Sequence, residues 1–320
     1  MPADDIWDNE DLMVKLDKVY NYNITLINGQ IGVGKTTAVI NYLIKKKVDS
    51  FYWYSIKDNK ADVYTFFYFL LESFIQNNPV LNGDKKSLYN NWVNKNLSFD
   101  KFVYRLINLI LKSNNGSHIF IIDDFHLLEN KKEIIPYFEK LLDVLPPNIH
   151  FLITTQETIK FEKIELWKVE NKILFINNKD FLLSKKQLAN FALDKCGVKL
   201  SDDEINYIKN DSSGWIPYIK TFIEYLAKKN EVSDFLNDKK EYYDKIFLYL
   251  DNKLWNKMLK KNNIIKKMLL KTSILKTIEY NFCLELLGND TKKLFEFLNK
   301  NKIFVEKIDK DSFKYYPFFE

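Results

Sequence analysis

The sequence predicts an α/β chain that begins with a parallel sheet covered by helices on both faces and ends in helices and a β-hairpin. Three observations predict it. Short apolar runs alternate with amphipathic helical patterns up to about residue 179; strand patterns then give way to helical ones; and two β runs close the chain after three further helical segments. With 320 residues, of which 46% are hydrophobic and 28% charged, the chain can bury more than one core and is too apolar for a disordered segment.

The first region reads as strands over 24–27, 51–56, 119–122, 150–155 and 172–176, short apolar runs rich in Ile, Leu and aromatic residues, as expected for strands buried on both faces. Helices are predicted between them over 38–46, 62–76, 99–112 and 134–144. The stretch 77–96 carries Pro79 and Gly83 among polar residues and reads as an exposed loop or a loosely ordered insertion. Beyond residue 180, Ser184 with Gln187 and Ser201 with Glu204 form two capping boxes, each opening a helix. Gly214, Trp215, Ile216 and Pro217 open a third helix running to 229, and a fourth is predicted over 234–254. Helices over 264–275, 280–287 and 291–299, followed by a hairpin of 303–308 with 312–316, read as a winged helix. The domains expected are 1–179, 180–257 and 258–320.

Charge and composition exclude several classes. The net charge of +5 comes from 48 basic and 43 acidic residues spread along the chain, so no basic arm is set aside for nucleic acid. Arg105 is the only arginine, which confines bidentate guanidinium recognition of phosphate to one position. The longest apolar runs, such as 66–71, are far too short to cross a bilayer, and the acidic N-terminus is unlike a signal peptide. Cys196 and Cys283 form no metal-binding pattern. A cytoplasmic protein with no membrane partner is expected.

The chemistry is concentrated where the glycines are. Gly29, Gln30, Ile31, Gly32, Val33, Gly34, Lys35 and Thr36, followed by Thr37, fit G-x-x-x-x-G-K-[ST] between a predicted strand and a predicted helix, the context a P-loop needs. Such a turn aims backbone N–H groups at a β-phosphate on a helix N-terminus, with Lys35 reaching the β- and γ-oxygens and Thr36 ligating Mg²⁺. A buried strand ending in Asp123 and Asp124 is the matching Walker B pattern. Asp123 is placed to hold Mg²⁺ and Asp124 to orient or activate a water. His126 either packs against the strand end or reports on the nucleotide.

With these two motifs, and with weaker similarity at 51–55, 212–215 and 269–275, the chain resembles the nucleotide-binding module of STAND signalling ATPases. The MalT-like branch found in large LuxR-type transcriptional activators is the nearest in pattern. The resemblance implies a P-loop NTPase domain, a small all-α domain and a winged helix that close around ADP and open with ATP and an inducer, permitting self-association. It implies ATP or ADP with Mg²⁺ as ligands, and Trp215 or Pro217 near the adenine, although an aromatic and a proline at a helix start also serve packing. No guanine-recognition motif is evident after the Walker B strand. Relatives continue into sensor and effector domains, and the native chain is expected to extend beyond residue 320.

Departures from the family pattern are equally informative. Gln156 stands where an arginine commonly senses the γ-phosphate, acidic Asp8 to Asp11 replaces a basic element, and Tyr316 or Pro317 stands where a histidine is expected. Gln156 can hydrogen-bond but brings no charge to the developing phosphoryl group, so slow hydrolysis or binding alone is expected. Two other classes make different demands. A DNA-binding winged helix would have to use Lys292, Lys293 and Lys300 on a helix whose Leu294, Phe295, Phe297 and Leu298 read as core, so direct DNA binding by this module is not expected. An AAA+-like remodelling ATPase would require Arg105 as its arginine finger.

Overall fold

β1 (Ile24–Asn28), β2 (Phe51–Ser55), β3 (His118–Asp123), β4 (Ile149–Thr155) and β5 (Ile173–Ile176) form one parallel sheet in the order β2-β3-β4-β1-β5. The computed structural model describes residues 9–229 except 31, 58–60, 115, 129–130, 132 and 157–158, together with 244, 248, 263–301 and 305–315. Every residue of β3 and β4 is buried, so the centre of the sheet is covered on both faces, the arrangement that demands continuous apolar runs. Ile24 pairs with Phe151 on one side and Ile173 on the other, while Ile122 pairs with Ile153, which makes β4 the strand between β1 and β3.

The helices α1 (Glu10–Leu16), α2 (Lys35–Lys46), α3 (Val63–Ile75), α4 (Asn82–Val93), α5 (Phe99–Leu111), α6 (Ile134–Asp143) and α7 (Ile164–Val169) accompany the sheet. Asp62 caps α3 by accepting the Thr65 N–H, and the helix buries Phe66, Phe67, Leu70, Leu71 and Phe74 in a core shared with Phe102, Phe120 and Phe138. The sequence expectations hold for the five strands and for α2, α3, α5 and α6. They miss α1 and α7, which are short and carry few periodic positions.

The predicted loop at 77–96 is a correction. It holds α4, whose Lys85, Leu88 and Trp92 are buried. Three buried positions at spacings of three and four are one helical stripe, hidden in the sequence because one of them is a lysine and the rest of the turn is polar. Two tertiary contacts hold this face: Lys85 ion-pairs with Glu72 of α3, and Trp92 stacks on Phe102 of α5 with ring centroids 4.4 Å apart.

The described residues divide into two compact units, the first holding Glu10–Gly29 and Lys35–Asp180, the second Asn9, Gln30, Gly32 to Gly34 and the described residues from Phe181 onward. In the second unit, α8 (Lys185–Cys196) and α9 (Asp202–Ser212) open with complete capping boxes at Ser184 and Ser201, as their sequences predict. Ser213 and Gly214, at φ 46° and 78°, make the left-handed turn into α10 (Ile216–Lys229). The helix predicted over 234–254 lies outside the described residues apart from 244 and 248.

Further along are α11 (Asn263–Thr272), β6 (Thr277–Glu279), α12 (Tyr280–Leu287), α13 (Thr291–Asn301), β7 (Val305–Lys307) and β8 (Ser312–Tyr315). β7 and β8 pair antiparallel as the predicted hairpin, and β6, which the sequence does not reveal, pairs with β8 to give the order β6-β8-β7. Leu188, Ile208, Tyr218, Leu269, Leu294 and Phe313 belong to one core within this unit. No helix among the described residues is long and apolar enough to cross a membrane.

Candidate functional site

β1 ends where the glycine-rich turn begins, and the Gly29 N–H donates to the Thr155 carbonyl of β4 at 3.1 Å, tying the start of the turn to the neighbouring strand. Val33 N–H closes back on the Gln30 carbonyl at 3.3 Å. Gly32 and Gly34 have φ values of 79° and 93°, a region that side-chain-bearing residues avoid, so the turn requires glycine at these two positions. Gly29 is buried, Gln30, Gly34, Thr36 and Thr37 are half-buried, and Ile31 lies outside the described residues.

α2 starts at Lys35, whose side chain is folded inward. Lys35 is only 6% exposed, and its Nζ donates to the Gly29 carbonyl at 2.7 Å. Burial draws its ammonium down to about 8, against the pull of the Asp124 and Asp123 carboxylates in the other direction. One residue on, Thr36 Oγ1 donates to Asp123 Oδ1 at 2.9 Å. The first turn of α2 and the end of β3 are thereby joined across the end of β4.

Asp123 is buried at the end of β3, and burial pushes its carboxyl above the usual carboxylate range, with the Thr154 hydroxyl opposing that shift and the Asp124 charge adding to it. Asp124 differs in every respect. Its backbone is left-handed at φ 60°, its side chain is 43% exposed, and His126 Nδ1 lies 3.8 Å from its Oδ1. Gln156 follows β4 directly and is half-buried.

Lys35, Thr36, Asp123 and Asp124 are therefore brought together at the carboxyl ends of β1 and β3, on either side of β4, where open α/β sheets place their ligands. Trp215 and Pro217 belong to the second unit. Trp215 is buried in that unit's core with its N–H on the Ser212 carbonyl at 2.8 Å, and Pro217 occupies the first turn of α10. Asp8, Tyr316 and Pro317 lie outside the described residues. Sequence reasoning missed Thr154, which bonds both acidic residues of the Walker B pair. Its signal was present as a hydroxyl residue in the last positions of an otherwise apolar strand.

The donor set fits a small hard cation and a phosphate chain. Thr36 and Asp123 offer oxygen ligands of the type Mg²⁺ prefers, in the small number that leaves room for water and phosphate. Lys35 stands at the N-terminus of α2, the position at which a helix favours an anion.

This sheet order, with a glycine turn after β1 and paired carboxylates after β3, defines a P-loop NTPase module. No family model matches the chain. The HTH-type transcriptional regulator MalT of Yersinia pestis (strain Pestoides F) is 21% identical over 316 residues, taking in 96% of this chain and 34% of that protein. MalT of Yersinia enterocolitica shows the same identity and coverage. The chain thus spans about a third of the length of the curated relatives it matches. Among solved structures, the Walker-type ATPase paby2304 of Pyrococcus abyssi has the same fold, with a TM-score of 0.64 at 15% identity over 99% of this chain and 95% of that one. The chain is thus similar to MalT over nearly its whole length and has the P-loop ATPase fold.

Proposed function

We propose that this chain is an adenine-nucleotide-dependent switch module of a signalling or transcription regulator. The observation that carries the reading is the Thr36 to Asp123 hydrogen bond beside the buried Lys35, because it puts a hydroxyl, a carboxylate and an ammonium at one strand-end crevice with the polarity a Mg²⁺-nucleotide needs. The match to HTH-type transcriptional regulators over nearly all of this chain supports the regulatory setting.

In this reading the N–H groups of the glycine turn and the ammonium of Lys35 bind the β- and γ-phosphates. Thr36 and Asp123 hold Mg²⁺, which when bound neutralises phosphate charge. Asp124 orients a water from its exposed position, and Gln156 contributes a neutral hydrogen bond where a positive charge would speed phosphoryl transfer, so hydrolysis is slow. Trp215 and Pro217 border the adenine. The helices from α8 to α10 form a small domain, and α11 to β8, with sheet order β6-β8-β7, form a winged helix that serves as an internal lock. Exchange of ADP for ATP opens the module and permits self-association, in response to an inducer sensed by domains outside this chain.

Mass spectrometry of small molecules released from the freshly purified, denatured protein tests this, with Lys35→Ala as control. Near-stoichiometric ADP, absent from Lys35→Ala, is the expected result. Recovered ATP would mean binding without turnover. Protein that is empty and also fails to bind added Mg²⁺-ADP or Mg²⁺-ATP would overturn the reading.

A further inference from the structure

Thr154 lies at the end of β4, the strand held between β1 and β3, and is fully buried. Its hydroxyl has one proton to give and lone pairs to accept with. The proton goes to Asp123 Oδ1, 2.6 Å away, and a lone pair takes the backbone N–H of Asp124 at 3.0 Å. The direction of each bond is fixed by its partner, since an amide N–H can only donate and an ionised carboxylate can only accept. One hydroxyl therefore links the backbone of the second acidic residue to the side chain of the first.

Two consequences follow for the site. Asp123 Oδ1 already accepts from Thr36 at 2.9 Å, so the Thr154 bond gives that oxygen a second donor, and no described residue hydrogen-bonds Oδ2. The carboxylate is held in one rotation by the two donors on Oδ1. Asp124, meanwhile, sits at φ 60°, a left-handed conformation that side-chain-bearing residues rarely adopt. It is clamped there from both sides, by Thr154 on its N–H and by the Leu127 N–H on its carbonyl at 3.0 Å. The β-branched threonine has few χ1 choices, and a strand paired on both edges has little room to shift, which suits it to hold two other groups in place.

We infer that Thr154 is the positioning residue of this site, setting the rotation of Asp123 toward Mg²⁺ and the backbone from which Asp124 projects. The inference rests on the nucleotide-binding reading above. Groups that orient metal ligands from behind in this way are commonly worth about ten- to a hundredfold in metal affinity or activity.

The test is titration of the protein with a fluorescent mant-ADP, once with excess MgCl₂ and once with EDTA, which separates the Mg²⁺-dependent gain in affinity from binding as such. In Thr154→Val, which keeps the shape and removes the hydroxyl, the Mg²⁺-dependent gain is expected to fall about tenfold or more, while affinity in EDTA stays within about twofold of wild type. Thr154→Ser is expected to restore most of the gain. In an Asp123→Asn background, Thr154→Val is expected to have no further effect on the gain, because the two act through one group. If the valine variant does not fold, Thr154→Ser against Thr154→Ala makes the same comparison at matched size. A full Mg²⁺-dependent gain without the hydroxyl, parallel losses in MgCl₂ and EDTA, or an undiminished effect in the Asp123→Asn background would each overturn the assignment of Thr154 and leave the nucleotide reading intact. A wild-type protein that binds mant-ADP in neither condition would overturn both.

Discussion

Thr36 Oγ1 donates to Asp123 Oδ1 at 2.9 Å across 87 residues of chain, fixing the first turn of α2 to the carboxyl end of β3. β4 runs between those elements, and its last residues close the gap: Thr155 takes the Gly29 N–H, and Thr154 bonds Asp123. The glycine turn and the paired carboxylates are thus braced against the same strand, so the groups that would meet a phosphate chain are set before it arrives.

Lys35→Ala is expected to separate binding from stability. The ammonium is nearly buried and burial lowers it to about 8, so it is held in the fold against a desolvation penalty. Thermal denaturation without nucleotide should give a melting temperature equal to or above that of wild type. Affinity for mant-ADP should fall about ten- to a hundredfold, the equivalent of one charge-assisted hydrogen bond. A clear drop in melting temperature with affinity retained would contradict both expectations.

Asp124 carries a conformational penalty that glycine would remove. Because its φ is 60°, Asp124→Gly should be more stable than Asp124→Ala by about 1 kcal/mol in urea unfolding, the usual cost of a left-handed alanine. Equal stability of the two variants would show that the left-handed turn relaxes freely.

Trp92→Ala should be among the most damaging single changes in the first unit. Trp92 is 6% exposed and contacts Tyr64, Phe67, Phe99 and Phe102 with ring centroids 4.4 to 5.6 Å apart. Truncation should cost about 3–5 kcal/mol in denaturant unfolding. A loss under about 1 kcal/mol would mean that α4 is dispensable to the core.

Acid should destabilise the protein before its carboxylates titrate. His118 and His150 are buried at the start of β3 and β4, and burial lowers both below the ordinary imidazole value of 6.5, opposed by the Asn114 backbone at His118 and by the Tyr22 carbonyl at His150. The unfolded chain then binds more protons than the native one, so this stability is present above 6.5 and is lost as pH falls through the depressed native values. Melting temperature measured from pH 7.5 down to about 5.5 should decline, and less steeply in His118→Gln/His150→Gln than in wild type. Identical slopes would show that these imidazoles are not the groups responsible.

Much of the site was legible because its signals are local. The glycine spacing before Lys35 and the apolar strand ending at Asp123 each report on a few consecutive residues, and the capping boxes at Ser184 and Ser201 formed as written. α4 was not legible, because its buried stripe of Lys85, Leu88 and Trp92 becomes apolar only when Glu72 neutralises the lysine and Phe102 receives the indole. β6 escaped for another reason: a three-residue strand has no periodicity to detect and exists through its pairing with β8.

The sequence by itself determined the α/β class and the glycine-rich turn and pointed to Lys35, Thr36, Asp123 and Asp124 as the candidate site residues, since each follows from backbone freedom, charge or alternation within a short window. Only the tertiary structure decided that β4 would lie between β1 and β3, and with it the part played by Thr154. Strand order is set by how distant apolar faces are buried together, and a single hydroxyl acquires its two partners only after that packing has brought them within 3.0 Å.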